Sequence, residues 1–227
     1  MTVAAVILAA SPASALADAD GTPGVRRLAD TAWSGGATPV VVCSFDPDGA
    51  VAAALANAEV TLVDPVDPAN GPVGQIVNGI EAAGRLVAGT DAALVWPARL
   101  TWVDAETITT LIHASGEDRS AVLRPSYRGD AGFPVLLPVA HLAAFGALGA
   151  ARMPGELFAD LEAAGVPFRT IETGDPGVIH DVSTPRAELP PYDAPPEPAA
   201  PPEWGAGVGD ESDDAPVPGP ARLDAEG

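Results

Sequence analysis

The sequence predicts an α/β fold, in which helices cover both faces of a mostly parallel sheet and form a three-layer sandwich. Two observations support this prediction. Short aliphatic or β-branched runs alternate with Ala-rich segments of helical length over most of the chain. In addition, 47% of the 227 residues are hydrophobic, so most of the chain can bury a core.

Six of the aliphatic runs are predicted strands, namely Val3–Leu8, Pro39–Ser44, Glu59–Val63, Ala92–Trp96, Ala121–Arg124 and Pro167–Ile171. The predicted helices are Gly24–Trp33, Asp48–Ala56, Gly74–Val87, Asp104–His113 and Gly155–Ala164. In open parallel sheets, ligands bind beyond the carboxyl ends of the strands. The turn after the first strand is therefore a predicted ligand site.

The apolar start of the chain allows two interpretations. Val3–Ala10 is a short apolar core, and Ala15-Leu16-Ala17 has the small-x-small pattern of a signal-peptide cleavage site. The basic segment that precedes such a core is missing, because the first cationic side chain is Arg26. The other interpretation makes the same residues the first strand of a ligand-binding domain.

Charge and cysteine content exclude several classes of protein. The formal net charge of −20 argues against nucleic acid or an anionic membrane as a main partner. No apolar run approaches the roughly 20 residues of a transmembrane helix. Cys43 is the single cysteine, so it forms neither an internal disulfide nor a zinc cluster, and its apolar neighbours predict a buried thiol. We therefore expect a cytoplasmic protein.

The composition changes near residue 188, so residues 1–188 are predicted to form one domain. From Glu188 onward, ten prolines and ten acidic residues accompany a single arginine. Such a composition cannot offset the entropy of folding by burial, and we predict a disordered acidic tail over 189–227. Tyr192 and Trp204 in this tail are candidate anchors for a protein partner, although a solvating extension is the simpler interpretation.

Six segments, in order along the chain, carry a resemblance to one family. They begin with AVILAA at residue 5 and continue with Asp20–Val42, Asn70–Ala83, Asp91–Ile112, Pro125–Leu137 and Asp175–Pro185. Together they resemble the MobA-like NTP transferases, the cytidylyl- and guanylyltransferases of the molybdenum cofactor, over residues 3–188. The resemblance implies a nucleotidyltransferase fold of the GT-A or Rossmann-like type. It also identifies the apolar start as the first strand.

The resemblance implies a nucleotide site at the first loop and at the helix that contains Gly79. The implied nucleotide-binding residues are Leu8, Ala9, Ala10, Ser11, Gly79 and Arg99. In the family, glycines of the first loop let backbone N–H groups approach the phosphates, and basic residues neutralise them. Here Ser11 replaces the first glycine, Pro12 removes an N–H donor, and the chain contains no lysine.

The second departure from the family lies in its metal motif. The aspartate that holds Mg²⁺ in the family aligns with Arg99, and a guanidinium repels a divalent cation. Asp181 is the remaining candidate metal ligand, so Mg²⁺ is expected only if another acid rebuilds the site. Arg99 either binds phosphate directly or pairs with an acid such as Asp91 or Asp104.

Two further features surround the predicted site. Arg26 and Arg27 stand in the first turn of a predicted helix, where they indicate either a bound anion or a solvated face. Trp96 and Trp102 flank the turn that contains Arg99, and they indicate either packing or a stacked ligand.

The departures predict a nucleotidyltransferase-like protein with a degenerate active site. Phosphoryl transfer depends on electrostatic stabilisation, and both metal and lysine are missing from the motifs. We therefore predict a non-catalytic accessory protein that binds a nucleotide or a pterin-type cofactor. Two alternatives remain, an active molybdenum-cofactor-type nucleotidyltransferase with a rebuilt metal site and a scaffold that binds partners through Trp204.

Overall fold

The computed structural model describes residues 1–9 and 11–193, and these residues form an α/β fold. The strands within them are β1 (Thr2–Ala9), β2 (Asp18–Ala19), β3 (Thr22–Pro23), β4 (Val40–Ser44), β5 (Val60–Val63), β6 (Thr90–Pro97), β7 (Val122–Tyr127), β8 (Asp130–Ala131), β9 (Val135–Pro138) and β10 (Phe168–Glu172). The α-helices are α1 (Pro12–Ala15), α2 (Gly24–Ser34), α3 (Ala50–Ala54), α4 (Gly71–Leu86), α5 (Ala105–Glu117), α6 (Leu142–Gly146) and α7 (Pro154–Ala163).

The main sheet has the strand order β10-β7-β9-β6-β1-β4-β5, with β8 paired to β7. Strand β1 is parallel to β4 and β6, β4 is parallel to β5, and β10 is parallel to β7. Strand β9 is antiparallel to both of its neighbours, β6 and β7. The sheet is therefore mixed but mostly parallel, and β1, β4, β5 and β6 end at the same edge.

The central strand β1 contributes side chains to two separate cores. Val3, Ala5 and Ile7 face the core formed with α2 and α5. Ala4 and Val6 face the opposite core, formed with α4, α6 and α7. Because successive side chains of a strand point to opposite faces, this alternation places a helical layer on each side of the sheet. The predicted three-layer sandwich is confirmed.

The turn after β6 is fixed by a buried tryptophan. Trp96 is fully buried, and its indole N–H donates a hydrogen bond of 3.0 Å to the carbonyl oxygen of Leu100. A second bond joins the Ala98 N–H to the Leu8 carbonyl at 2.9 Å, so the turn also stays next to the end of β1. These contacts position Arg99 at the edge of the sheet.

The six predicted strands and five predicted helices are all present, with shifted ends. Helix α3 is shorter than predicted at both ends, and at its start the Asp46 carboxylate accepts bonds from the N–H groups of Val51 and Ala52. Helices α1 and α6 and strands β2, β3, β8 and β9 were missed. All six are short, and β9 follows Pro134 and ends at Pro138, where prolines usually indicate a loop.

The described residues up to Asp193 belong to one compact unit. Within its last described residues, the Asp193 N–H donates to the Gly174 carbonyl at 2.9 Å, and Arg128 pairs with Asp193 at 3.3 Å. The domain boundary at 188 stays a prediction, as does the tail, since residues 194–227 with Trp204 lie outside the described residues. Among the described helices, none combines the length and apolar character needed to cross a membrane.

Candidate ligand-binding site

A cavity of about 910 Å³ opens at the edge where β1, β4 and β6 end. Its volume lies within the range of small-molecule sites, about 300–1,000 Å³. One wall consists of residues at the strand ends, and the other walls come from the loop and helix start at 65–75 and from the start of α7 at 153–155. The position agrees with the rule that ligands bind at the carboxyl ends of parallel strands.

The described wall of this cavity is mostly apolar and carries two charged side chains, Asp67 and Arg99. The Asp67 carboxylate accepts a bond of 2.8 Å from the N–H of Ala69 and so caps a short turn. The Gln75 amide is bonded to the backbone N–H and carbonyl of Val66, at 3.1 and 2.9 Å. Asp67 and Gln75 therefore brace the loop, and Arg99 is the charged group with donors directed to solvent.

The loop after β1 contributes two of the predicted nucleotide-binding residues to the wall. Leu8 and Ala9 line the cavity, whereas Ala10 lies outside the described residues. Ser11 caps α1, since its hydroxyl accepts from the Ser14 N–H at 3.2 Å, and the Ser14 hydroxyl donates to the Ser11 carbonyl at 2.8 Å. Ser11 is thus bonded within its own turn, and Ser14 rather than Ser11 reaches the cavity.

Gly79 lies on α4 beneath the cavity, away from its wall. A Cβ added there would stand 2.9 Å from Cys43 Sγ, and it would overlap with the side chain of Val6. The residue therefore permits α4 to pack closely against β1 and β4. It is not among the residues that line the cavity, so the structure does not bring it together with Leu8, Ala9 and Arg99.

Arg99 and Asp181 form an ion pair at the mouth of the cavity. The guanidinium Nη1 and the carboxylate Oδ2 are 3.8 Å apart, and the Arg99 side chain is 69% exposed. The Val182 N–H donates to the Arg99 carbonyl at 2.8 Å, and the Trp102 indole N–H donates to the carbonyls of Asp181 and Thr184. The closing segment 181–184 is therefore bonded to the turn after β6.

The two acids that were predicted as partners of Arg99 accept hydrogen bonds from other residues. Asp91 accepts a bond from the Thr2 N–H at 2.8 Å, and Asp104 caps α5 by accepting from Glu106 N–H at 2.9 Å. Arg99 thus pairs with an acid, as one of the two interpretations predicted, but its partner is Asp181 of the closing segment and not Asp91 or Asp104. Trp102 contacts this segment with its N–H, so the tryptophans that flank the turn serve packing and anchoring.

The ionisation of Asp181 and the charge beside it determine whether this site can bind a divalent cation. A hydrogen bond from the Ser183 hydroxyl is the main cause that lowers the pKa of Asp181, with smaller contributions from the Ser183 N–H and from Arg99, while burial opposes the shift. The carboxylate is thus ionised, but a guanidinium stands beside it. Across residues 1–9 and 11–193, no group of three acidic, histidine or cysteine side chains is placed to hold a metal ion. The Arg99 guanidinium, 3.8 Å from the Asp181 carboxylate, repels a cation, so the pair as it stands does not fit Mg²⁺.

Cys43 lies in the cavity wall but is not a nucleophile. It is 4% exposed, and burial raises the pKa of its thiol to about 12. The thiolate, which is the reactive form, is therefore scarce at neutral pH.

Two large apolar side chains at the mouth were missed by the sequence analysis. Phe45 and Met153 are 57% and 63% exposed, and both line the cavity. Phe45 directly follows β4, so the rule that ligands bind at the carboxyl ends of parallel strands could have identified it. Met153 lies more than a hundred residues away along the chain, and nothing near it in the sequence indicates the site.

The chain matches a protein-family model and is similar to solved structures that have the same fold. The model of the MobA-like NTP transferase domain matches residues 5–164 of the chain. No curated protein sequence is similar enough to the chain to count as a match.

Three solved structures illustrate the structural similarity. A nucleotidyl transferase from Methanothermobacter thermautotrophicus is 19% identical with a TM-score of 0.63, over 80% of this chain and 93% of that one. The Mycobacterium tuberculosis Rv0371c protein in complex with manganese is 14% identical with a TM-score of 0.60, over 76% and 89%. CMP:2-keto-3-deoxy-manno-octonic acid synthetase complexed with CTP is 16% identical with a TM-score of 0.56, over 76% and 90%. At these identities the similarity shows the fold alone.

Proposed function

The chain belongs to the MobA-like NTP transferase domain family, and from this premise we propose that it is a non-catalytic member that binds a nucleotide or a pterin-type ligand without a divalent cation. The ligand lies in the cavity at the carboxyl ends of β1, β4 and β6. By resemblance, the protein acts in the cytoplasm and in molybdenum-cofactor chemistry. From the composition of the acidic tail, we propose Trp204 as the anchor for a protein partner.

The observation that carries this proposal is the ion pair between Arg99 and Asp181. Arg99 stands where the resemblance places the family's metal-binding aspartate, and its guanidinium is 3.8 Å from Asp181, the remaining candidate ligand. A divalent cation would have to displace Arg99 and then face the same positive charge at close range. Catalysis of nucleotidyl transfer loses the charge stabilisation on which it depends.

The loop after β1 supports the same conclusion. Ser11 and Ser14 use their polar groups in a closed turn, and Pro12 has no N–H to offer a phosphate. The described cavity wall holds one guanidinium and one carboxylate, Arg99 and Asp67. A triphosphate with several negative charges therefore gains little there, whereas a ligand with one anionic group is well matched.

Arg99 and the apolar wall contact different parts of the ligand. A guanidinium presents five N–H donors, and Arg99 is exposed enough to bond an anionic group of the ligand while it remains beside Asp181. Phe45, Met153 and the prolines of the wall cover the planar, less polar body of the ligand. The chain thus binds and orients the ligand, and none of the described residues of the wall is in a position to activate it.

The proposal is tested by a turnover assay and a binding assay on the full chain. Pyrophosphate release is measured with CTP, GTP and ATP, each with a pterin phosphate and Mg²⁺, and thermal unfolding is followed with the same compounds and with nucleoside monophosphates. A ligand at about a hundred times its Kd stabilises the folded state by roughly 2.7 kcal/mol, which a melting curve resolves.

We expect no pyrophosphate release, and a stabilisation by at least one ligand that is equal with and without Mg²⁺ and lost in Arg99→Ala. Arg85→Ala is the matched control, since Arg85 lies in the last turn of α4 and is not among the cavity residues. Turnover above the rate without protein, or stabilisation that requires Mg²⁺, would overturn the proposal.

A further inference from the structure

A second cavity, smaller than the one at the strand ends, lies along helix α4. Its volume is about 370 Å³, at the lower end of the range of small-molecule sites. One wall comes from residues 66–81, which include most of α4, and the opposite wall comes from residues 146–150, which follow α6. We call the space between these two segments the α4 groove.

The helical repeat arranges the α4 side of this groove in two parallel rows. Val73, Val77 and Glu81 follow one another at intervals of four residues, which places them on one face of the helix. Gly74 and Asn78 form the adjacent row. Eight residues of α-helix extend over about 12 Å, so the groove is elongated and Glu81 stands at its C-terminal end.

The middle of the α4 groove is apolar. Val73 is 5% exposed, Val77 is half-buried beside it, and Leu148 contributes an apolar side chain from the opposite wall. Gly146 has no side chain to narrow the groove, since a Cβ added there would lie 3.5 Å from a methyl carbon of Val77. An aliphatic chain can therefore lie against these side chains.

Glu81 has no ion-pair partner within residues 1–9 and 11–193. Arg85 lies one helical turn further along α4, but the two side chains are not within ion-pair distance of each other. By contrast, Arg26 and Asp30 of α2 have the same separation in sequence and pair at 2.9 Å. The Glu81 carboxylate belongs to the wall of the groove instead, where it is available to a cation from solution.

Asn78 adds a second oxygen at the same end of the groove. Its Nδ2 donates to the Asp64 carbonyl at 3.1 Å, which orients the amide and leaves Oδ1 as an acceptor. Asn78 and Glu81 are three residues apart, so they are neighbours on the helix surface. An ammonium group has three N–H donors and no acceptor, and it therefore complements a carboxylate and an amide oxygen.

We infer that the α4 groove binds a primary alkylammonium ion, the protonated form of a small aliphatic amine. The ammonium group lies between Glu81 and Asn78, and the alkyl chain lies against Val77 and Leu148. The net charge of −20 favours the approach of a cation. The inference does not rest on the proposed function, because the described walls of the two cavities share Val66 and no other residue.

The test follows the methyl signals of Val77 and Leu148 in two-dimensional NMR spectra of the full-length protein, each assigned from its loss in Val77→Ala or Leu148→Ala. Butylammonium chloride replaces sodium chloride at constant ionic strength. Butan-1-ol, which has the chain without the charge, and ammonium chloride, which has the charge without the chain, are titrated in parallel. The variants are Glu81→Gln, Asn78→Ala and, as the matched control, Glu59→Gln, which removes an exposed carboxylate outside the groove.

We expect a saturable shift with butylammonium in the wild type and in Glu59→Gln. Glu81→Gln should weaken the apparent affinity about fivefold, because it removes one exposed ion pair. Asn78→Ala removes a neutral acceptor and should weaken the affinity less. Butan-1-ol and ammonium should both bind more weakly than butylammonium.

The absence of a saturable shift in the wild type, or an unchanged affinity in Glu81→Gln, would overturn the inference. An equal loss in Glu59→Gln would also overturn it, since cations would then accumulate on the acidic surface without a site. An equal affinity for butan-1-ol would overturn the assignment of the ligand to a cation.

Discussion

The loop after β1 and the turn after β6 border the same cavity from adjacent strands, but different contacts hold them. The loop is closed locally, by bonds between Ser11 and Ser14. The turn is bonded across about 80 residues of chain, through the Arg99 carbonyl to Val182 and through the Trp102 indole to the segment that follows. The loop after β1 is therefore held independently of the closing segment, whereas the turn after β6 is coupled to that segment.

This difference shows how the two departures from the family pattern are accommodated. Where the resemblance predicts a glycine-rich loop, the chain has a short helix with a serine cap. Where it predicts a metal-binding carboxylate, Arg99 pairs with Asp181 of the closing segment. In the proposed function, these contacts take the place of those to phosphate and metal.

The largest effect is expected from Trp102→Phe. The change removes the donor to two carbonyls of the closing segment, at a side chain that is 7% exposed. Loss of these bonds should lower the free energy of unfolding by about 2 kcal/mol and speed hydrogen exchange at the Val182 amide. Urea denaturation and exchange measured by NMR test both effects.

The matched control for this prediction is Trp33→Phe, because Trp33 is 54% exposed. It should change the free energy of unfolding by no more than about 0.5 kcal/mol. If the two variants were equally destabilised, the indole bonds of Trp102 would not hold the closing segment.

A smaller and local effect is expected from Ser11→Ala. The loss of an N-cap side chain costs about 1 kcal/mol, and the Ser11 hydroxyl caps α1. Because the loop is closed by its own bonds, exchange at Val182 should remain at the wild-type rate. Faster exchange there, comparable to that in Trp102→Phe, would contradict the independence of the two regions.

The smallest effect on stability concerns the ion pair itself. Arg99 is 69% exposed, so Arg99→Gln should lower the free energy of unfolding by about 0.5 kcal/mol or less. The folded-state pKa of Asp181 is lowered, so its contribution to stability is present above the unfolded pKa, near 3.9, and is lost as the pH falls through the folded pKa.

The hydrogen bond from Ser183 is the main cause of that lowered pKa. Ser183→Ala should therefore raise the pKa of Asp181 more than Arg99→Gln does, as carboxyl NMR titration of the two variants would measure. A larger change in Arg99→Gln would show that the ion pair, and not the local turn, controls the ionisation of Asp181.

The sequence predicted what depends on local pattern. Buried runs such as Val40–Ser44, which begins with three β-branched valines, are continuous, so the strands and their order along the chain could be assigned. The short strand β9 and helix α6 could not, because a few residues between prolines lack a distinguishing period. The site depends on contacts between distant segments, such as Arg99 with Asp181, and the sequence could not reveal their proximity.

The same limit applies to Arg26 and Arg27. Their place in the first turn of α2 was evident from the sequence. Their different surroundings arise because Asp30 is one helical turn from Arg26, whereas Trp102 approaches Arg27 from a distant segment.

The central claim is that the Arg99–Asp181 pair replaces a divalent cation, and Mn²⁺ titration monitored by electron paramagnetic resonance tests it most directly. The protein carries a net charge of −20, so Asp181→Asn serves as the reference for non-specific binding at the same ionic strength. Wild type and Asp181→Asn should leave equal amounts of free Mn²⁺. Arg99→Asp should bind an additional equivalent, and the double variant Arg99→Asp with Asp181→Asn should lose it. Tight Mn²⁺ binding by the wild type that disappears in Asp181→Asn would contradict the claim.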